Sequence, residues 1–218
     1  MKSFSPALLL LASLAVLATG CREQRDEAFS SPSSKTNDPQ SEAFKKDLAE
    51  LTKVRMAEVL KQANGGLETD KSADISAEYQ SALQRLIKRG SAIESPLIET
   101  LLSHDDWGVR LGVVEVMQAV GTKRSVGPLI QVLDDLQPLV ALQAEHALQD
   151  MTKHREIPEA GQAIKANGLP PVPLRDPKEP DLDSEQRIWA AWHAQYKIAL
   201  RKSWSDWWEK NKSSVKVD

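Results

Sequence analysis

Cysteine is nearly absent from this chain, which has a single one among its 218 residues. One cysteine excludes an internal disulfide framework and any zinc site built from several thiolates. Basic charge is not in excess, since 28 Lys and Arg face 31 Asp and Glu and the net charge is −3. The basic footprint of a nucleic-acid-binding protein is therefore missing. Glycine and proline, at 10 and 12 residues, are too few for a collagen-like or low-complexity chain.

Catalytic and metal-binding motifs are missing as well. The chain has no Gly-x-Ser-x-Gly elbow, no phosphate-cradling glycine-rich loop and no His-Glu-x-x-His. Its four histidines, at positions 104, 146, 154 and 193, lie too far apart for a metal-binding pair on one helix turn. We therefore expect no cofactor, no metal and no enzymatic activity. The length suits one domain of ordinary size.

The first 20 residues have the features of a signal peptide for secretion. Lys2 precedes an apolar run over residues 7–18, and small residues follow it. The run is shorter than the ~20 residues needed to cross a bilayer. The sequence Ala-Thr-Gly-Cys at 18–21 resembles the lipobox of bacterial lipoproteins, which implies cleavage before Cys21 and acylation of that residue. Several acyl chains anchor a protein stably. The alternative is an ordinary secretory signal followed by a chance cysteine.

The next segment, residues 21–41, is predicted to be a disordered tether. It is rich in Ser, Asp, Glu and Gln and too poor in apolar residues to order itself. Such a tether spans roughly 25 Å. In lipoproteins of bacteria with two membranes, an aspartate after the cysteine favours the inner membrane, whereas this chain has Arg22. The resemblance therefore implies a lipid anchor on the periplasmic face of the outer membrane.

Apolar residues at helical spacing predict an all-α domain over residues 42–157. The pattern indicates helices over 41–63 and 76–89, each followed by glycine, where helices commonly end. No stretch alternates apolar and polar residues with a period of two, and no hairpin signal separates two β-rich runs.

Residues 91–152 contain an internal repeat. Pro96-Leu97-Ile98 recurs as Pro128-Leu129-Ile130, and we expect each proline in the first turn of a helix. Further apolar positions match at spacings of 32 and 31: Leu97 and Leu101 with Leu129 and Leu133, and Val109, Leu111, Val113 and Met117 with Val140, Leu142, Ala144 and Leu148. A period near 30 with two amphipathic helices per unit predicts a helical solenoid, because one helix pair cannot bury its apolar face alone.

The first unit resembles a HEAT-like repeat of the short phycobilisome-lyase type, because an acidic pair at 105–106 and Arg110 follow its Pro-Leu-Ile start. The second unit keeps an acidic pair at 134–135 but has Ala141 in the position of Arg110. The resemblance implies a short α-solenoid of HEAT-like helix pairs, with an incomplete ladder of Asp–Arg contacts. We expect Asp106 to cap the following helix and to pair with Arg110.

A proline-rich strap over residues 158–183 leads to a tryptophan-rich helix over 184–211. Five of the six tryptophans lie after position 188. At ~100° per residue, one stripe of this helix collects most of its large apolar residues. These are Trp189, Trp192, Tyr196, Leu200, Trp204 and Trp207, with Trp208 at the edge. HEAT-like bacterial proteins often end in a similar Trp-x-x-Trp-Trp segment, so the resemblance extends to this helix.

The tryptophan stripe is too large to remain exposed. At ~150–250 Å² for each buried aromatic side chain it totals about 1,000 Å², whereas the largest apolar patch of a soluble monomer is ~300–600 Å². We therefore expect this helix to cap the repeats. The alternative is that several tryptophans stack on sugars or hold a partner. Trp107 and Trp208 are the two expected to be exposed, and with Arg110 they are the candidate interaction residues.

These features predict a membrane-anchored, non-catalytic scaffold lipoprotein of the bacterial envelope that binds another envelope protein. One alternative is a glycan-binding module that recognises peptidoglycan or another polysaccharide through exposed tryptophans. A second is an enzyme accessory of the bilin-lyase type, which the resemblance implies because some such repeats attach bilins to cysteines. The export signal disfavours this second alternative, because bilin attachment takes place in the cytoplasm.

Overall fold

The computed structural model describes the backbone of residues 39–63, 71–174 and 182–217, and the side chains of 41–53, 77–174 and 184–217. The predicted signal peptide, Cys21 and nearly all of the tether lie outside this part. The described ranges contain seven α-helices and no strand, which confirms the all-α prediction. The helices are α1 (Pro39–Ala63), α2 (Lys71–Ile87), α3 (Glu94–Ser103), α4 (Trp107–Val120), α5 (Lys123–Gln131), α6 (Pro138–Thr152) and α7 (Leu182–Asn211).

The first two helices pack against each other. Helix α1 buries Phe44, Leu48 and Leu51, and it begins at Pro39, inside the predicted tether. Helix α2 begins at residue 71 rather than 76, because a polar first turn precedes its apolar face. Across the interface Asp47 accepts hydrogen bonds from Arg85 at 3.0 Å and from Arg89 at 2.6 Å. Burial alone would raise the pKa of Asp47, but the two guanidinium groups outweigh it and lower the pKa.

The repeated positions are buried in both units. Helix α3 packs on α4 and α5, and α4 packs on α6 and α1. The matched leucines 97, 101, 129 and 133 are all fully buried or nearly so. On the following helices the buried members are Leu111, Val113, Met117, Val140, Ala144 and Leu148, whereas Val109 and Leu142 are partly buried. The apolar period of the sequence therefore marks the faces that these helices bury.

The position expected for Pro128 is wrong. Helix α5 begins five residues earlier, at Lys123, because the Thr122 hydroxyl caps it by accepting a hydrogen bond from the Arg124 N–H at 3.2 Å. Pro128 therefore lies in the second turn of α5. The helix is short and continues as a 3-10 turn, Val132–Asp134. In the second unit, the proline that occupies the first turn of a helix is Pro138, at the start of α6.

Helix α7 has the predicted apolar stripe. Trp189, Trp192, Leu200 and Trp204 are buried, whereas Tyr196, Trp207 and Trp208 are partly buried. Ile198, on the opposite side, is 65% exposed. The stripe lies against α5, α6 and the 3-10 turn, where the Trp189 indole N–H donates to the Pro138 carbonyl at 2.7 Å.

Residues 153–174, between α6 and the part of the strap that is not described, contain no helix and lie against the helices. Leu169 is fully buried, and the Trp192 indole N–H donates to the Pro170 carbonyl at 3.2 Å. Asn167 donates to the Ser203 hydroxyl on α7 at 3.0 Å. Side chains of α7 therefore hold this segment in place.

Candidate functional site

Arg110 joins the two repeat units. Its Nε and Nη2 donate to the two carboxylate oxygens of Asp135 at 2.7 and 2.8 Å, and its Nη1 donates to the carbonyls of His104 and Asp105 at 2.8 Å each. The expected cap is confirmed, because the Asp106 carboxylate accepts from the N–H of Gly108 at 2.7 Å. The expected Asp106–Arg110 pair is not the one formed. The Asp106 carboxylate turns toward its own helix, and the planar guanidinium matches both oxygens of Asp135 instead.

A polar cavity of about 530 Å³ opens beside this pair. It lies between the loop after α3 and the 3-10 turn, and Arg201 of α7 reaches its edge. Arg201 donates to Asp134 at 2.5 Å, and Arg110 is held by Asp135. Each of the two arginines that line the cavity therefore already forms an ion pair with a carboxylate.

The other two predicted interaction residues are less exposed than expected. Trp107 begins α4 and Trp208 lies in the last turn of α7, and both are partly buried against the core. The ring centroid of Trp208 lies 6.2 Å from that of its sequence neighbour Trp207. Neither Trp107 nor Trp208 is a fully exposed platform.

Most of the aromatic rings on α7 contact other rings. His154, in the segment after α6, stacks on Trp207 with a centroid distance of 3.9 Å. Trp204 meets both rings edge-on, at 5.3 Å from His154 and 5.6 Å from Trp207. Trp189 and Trp192 stack at 5.4 Å. The rings are used for packing between α7 and the segment after α6.

A buried network lies under this cluster and contains Ser, His and Glu. The Ser203 hydroxyl donates to Glu156 at 2.5 Å, Asn167 donates to the same oxygen at 2.7 Å, and His154 Nε2 lies 2.7 Å from the other oxygen. In a catalytic triad the histidine lies between the nucleophile and the acid, whereas here the carboxylate lies between serine and histidine. Burial alone would raise the pKa of Glu156, but these three partners outweigh it and lower the pKa. The network therefore joins α7 to the segment after α6, and its order of groups is not that of a Ser-His-Asp triad.

A second cavity, the α6 groove, has a different character. It has a volume of about 480 Å³ and lies between α6, the segment after it and the start of α7. Its lining is mostly apolar and includes Leu142, Ile157, Val172, Ile188 and Trp189, and the side chains of His146, Arg155, Glu159 and Glu185 add charged and polar groups. Leu174 at the rim is 77% exposed.

Glu145 lies in this groove and is almost completely buried, at 2% exposed. Both of its carboxylate oxygens accept from the Gln149 amide, at 2.5 Å each. Burial raises the pKa of Glu145 to about 7, an effect that the Gln149 hydrogen bond and the charges of Arg155 and Lys165 offset only in part. The sequence gives no signal for this site, because Glu145 and Gln149 form an ordinary polar pair four residues apart on a helix. The segment after α6 is what buries them.

Known proteins offer no comparison for this chain, since no family model, no curated protein and no solved structure matches it. Within the described ranges, no three His, Cys, Asp or Glu side chains are grouped so that they could hold a metal ion. None of the helices in those ranges is both long enough and apolar enough to cross a bilayer. The candidate sites therefore rest on geometry alone: the polar cavity beside Arg110 and the α6 groove beside Glu145.

Proposed function

We propose that the protein is a lipid-anchored, non-catalytic scaffold of the bacterial envelope, which binds a partner protein through a short α-solenoid of HEAT-like helix pairs. The observation that carries this proposal is the Arg110–Asp135 contact. It joins the first turn of α4 in one unit to the loop after the 3-10 turn of the next, with a largely buried guanidinium and carboxylate. A scaffold needs such a fixed relation between its units, because a binding surface that spans two units keeps its shape only if they do not shift.

A second link between the units supports the same proposal. Glu94, in the first turn of α3, is 2% exposed and accepts three hydrogen bonds from the start of α5. The donors are the N–H and hydroxyl of Thr122, both at 2.8 Å, and the hydroxyl of Ser125 at 2.7 Å. Burial alone would raise the pKa of Glu94, but these hydrogen bonds outweigh it and lower the pKa. The carboxylate thus fixes the start of one unit to the start of the next.

Helix α7 supports the capping part of the proposal. A solenoid leaves an apolar face open at its last unit unless a helix with a polar outer side covers it. The buried side of α7 lies on α5, α6 and the 3-10 turn of the last unit. Its outer side carries exposed residues, among them Lys202 and Lys210. This is the arrangement that a cap requires.

The aromatic contacts favour a protein scaffold over a glycan-binding module. A sugar stacks on a flat indole face that solvent can reach. One face of Trp207 is covered by His154, Trp204 is fully buried, and Trp189 and Trp192 are 3% and 4% exposed. The aromatic side chains of α7 are thus largely buried in the protein interior. Turnover of a substrate by the purified protein would instead favour the enzyme alternative.

The anchor is tested by labelling cells with an alkyne fatty acid. The wild-type chain should take up the label and remain in the outer-membrane fraction. The Cys21→Ser variant should be unlabelled and should leave the membrane fraction. A Cys21→Ser variant that stays membrane-bound would contradict the lipid anchor.

The scaffold role is tested by photo-cross-linking in intact cells. A photoreactive residue is placed in turn at three exposed positions on different faces, Glu99 on α3, Ala160 in the segment after α6 and Ile198 on α7. We expect a discrete protein adduct from at least one face, lost when Cys21→Ser releases the chain from the membrane. Absence of an adduct from all three faces would contradict the proposal. So would polysaccharide binding that disappears in Trp208→Ala, which would support the glycan-binding alternative.

A further inference from the structure

We propose that the α6 groove binds an extended segment of the partner protein and that a lysine side chain of this segment reaches Glu145. This inference rests on the proposed scaffold function and names the chemistry of the partner. It follows from three properties of the groove: a buried carboxylate on its floor, apolar walls, and an exposed apolar rim.

The first property is a buried carboxyl group with no cationic partner in contact, which is ionised above its pKa of about 7. Among the described residues the hydrogen bonds to the Glu145 carboxylate come from Gln149, whose amide is neutral. The nearby guanidinium of Arg155 instead donates to Glu159, at 3.2 Å and near the surface. A carboxylate in an apolar setting interacts strongly with an added cation, because the local dielectric is low. The groove therefore favours an occupant that carries positive charge.

The second property is the shape and lining of the cavity. A volume of about 480 Å³ lies in the ~300–1,000 Å³ range of ordinary ligand pockets. Apolar walls suit the methylene stem of a lysine, which buries its carbons and presents its charge at the end. Lysine fits better than arginine, because the Gln149 amide already uses one hydrogen-bond acceptor position of each Glu145 oxygen. A compact ammonium needs only one free oxygen direction, whereas a guanidinium fork needs two that are aligned.

The third property distinguishes a polypeptide from a small amine. Leu174 lies at the rim of the groove and is 77% exposed. A small amine bound beside Glu145 would leave the Leu174 side chain exposed to water. A polypeptide segment with an apolar residue next to the lysine would cover it, and would gain apolar contact in addition to the ionic one.

Isothermal titration calorimetry at pH 8, where Glu145 is ionised, tests the inference on the lipidated full chain in detergent micelles. The probe is an acetylated and amidated pentapeptide, Val-Leu-Lys-Leu-Val, and its control has Gln in place of Lys. The wild type should bind the lysine peptide about tenfold more tightly than the glutamine peptide. In Glu145→Gln, which keeps the shape of the side chain, both peptides should bind alike. Glu99→Gln removes a surface carboxylate on α3 and should keep the wild-type preference.

A second variant and a second probe test the polypeptide part. Leu174→Ser changes an exposed side chain, so it should fold normally and weaken the lysine peptide severalfold. The amine n-butylammonium should bind far more weakly than the peptide. The inference is overturned if neither peptide binds, if the two bind equally, if Glu145→Gln retains the preference, or if n-butylammonium binds as tightly as the peptide.

The two proposals fail in different experiments. If the peptides show no lysine preference but cross-linking in cells still gives a discrete partner, the scaffold remains and the groove is not its binding site. If the lysine preference is found but no face cross-links to a protein, the scaffold function is the part that fails.

Discussion

The imidazole of His154 lies flat on the indole of Trp207, with the planes within 2° and the centroids 3.9 Å apart. The same imidazole contacts Glu156, which in turn accepts from Ser203 of α7. One side chain of the segment after α6 is thus joined to α7 both by ring stacking and through a carboxylate. The contacts that hold the tryptophan-rich helix are both apolar and polar.

Trp204→Ala should be strongly destabilising. The side chain is fully buried and lies against His154 and Trp207, so its removal leaves a large cavity. We expect the free energy of unfolding to fall by ~3–5 kcal/mol in urea denaturation. Ile198→Ala, on the exposed side of the same helix, should change it by less than ~0.5 kcal/mol. Similar values for the two variants would mean that α7 is not held by its aromatic face.

Two glycines of the repeat region should respond in opposite directions to alanine. A Cβ at Gly121 would lie 2.5 Å from the Met117 carbonyl oxygen and 2.8 Å from the Ser125 hydroxyl, so Gly121→Ala should cost ~1–3 kcal/mol. A Cβ at Gly127, inside α5, would meet nothing within 4 Å. Gly127→Ala should therefore raise stability by ~0.5–1 kcal/mol through helix propensity. Thermal denaturation of both variants checks the pair, and equal shifts in Tm would contradict it.

Arg110→Ala should leave the buried carboxylate of Asp135 without its guanidinium. Because Asp135 is 6% exposed at its side chain and Arg110 16%, we expect a loss of ~2–4 kcal/mol. Lys212→Ala breaks an exposed ion pair with Glu209 and should cost less than ~1 kcal/mol. A double-mutant cycle of Arg110→Ala with Asp135→Asn measures the coupling, expected at ~1–3 kcal/mol. No coupling would mean that the contact does not join the units.

Glu145→Gln should stabilise the protein, and the gain should depend on pH. Burial raises the pKa of Glu145 in the folded state from 4.5 to about 7, so the folded protein holds a proton that the unfolded chain releases between these values. Stability therefore falls as pH rises from about 4.5 to about 7, and the loss is complete above that range. At ~1.4 kcal/mol per pKa unit it amounts to about 3 kcal/mol.

Denaturation at pH 4, 6 and 8 checks this dependence. The difference between Glu145→Gln and the wild type should be small at pH 4 and largest at pH 8. A difference that is constant over this range would mean that the Glu145 carboxyl is not held protonated by burial.

What the sequence could predict was local. The stripe of α7 depends on helical geometry alone, so the spacing of Trp189, Trp192 and Trp204 was enough to predict it. The Asp106 cap is equally local, because the bond spans two residues.

What the sequence could not predict was set by contacts between distant residues. Arg110 has two acidic residues nearby in the sequence, and only the packing of one unit on the next brings Asp135 into reach. The start of α5 depends on Thr122, whose backbone and hydroxyl also bind Glu94, 28 residues earlier. The burial of Glu145 depends on the irregular segment after α6, whose sequence has no apolar periodicity from which its position could be predicted.

Helix α7 follows the repeats along the chain, and this order has a consequence for biosynthesis. A ribosome releases the chain from its N-terminus, and domains tend to fold in that order. The surface of α5 and α6 that α7 covers would stay exposed until residues 182–211 emerge. Contacts such as that of Trp189 with Pro138, 51 residues apart, also raise the contact order and slow folding. The native state is therefore completed late, only once residues 182–211 have been made.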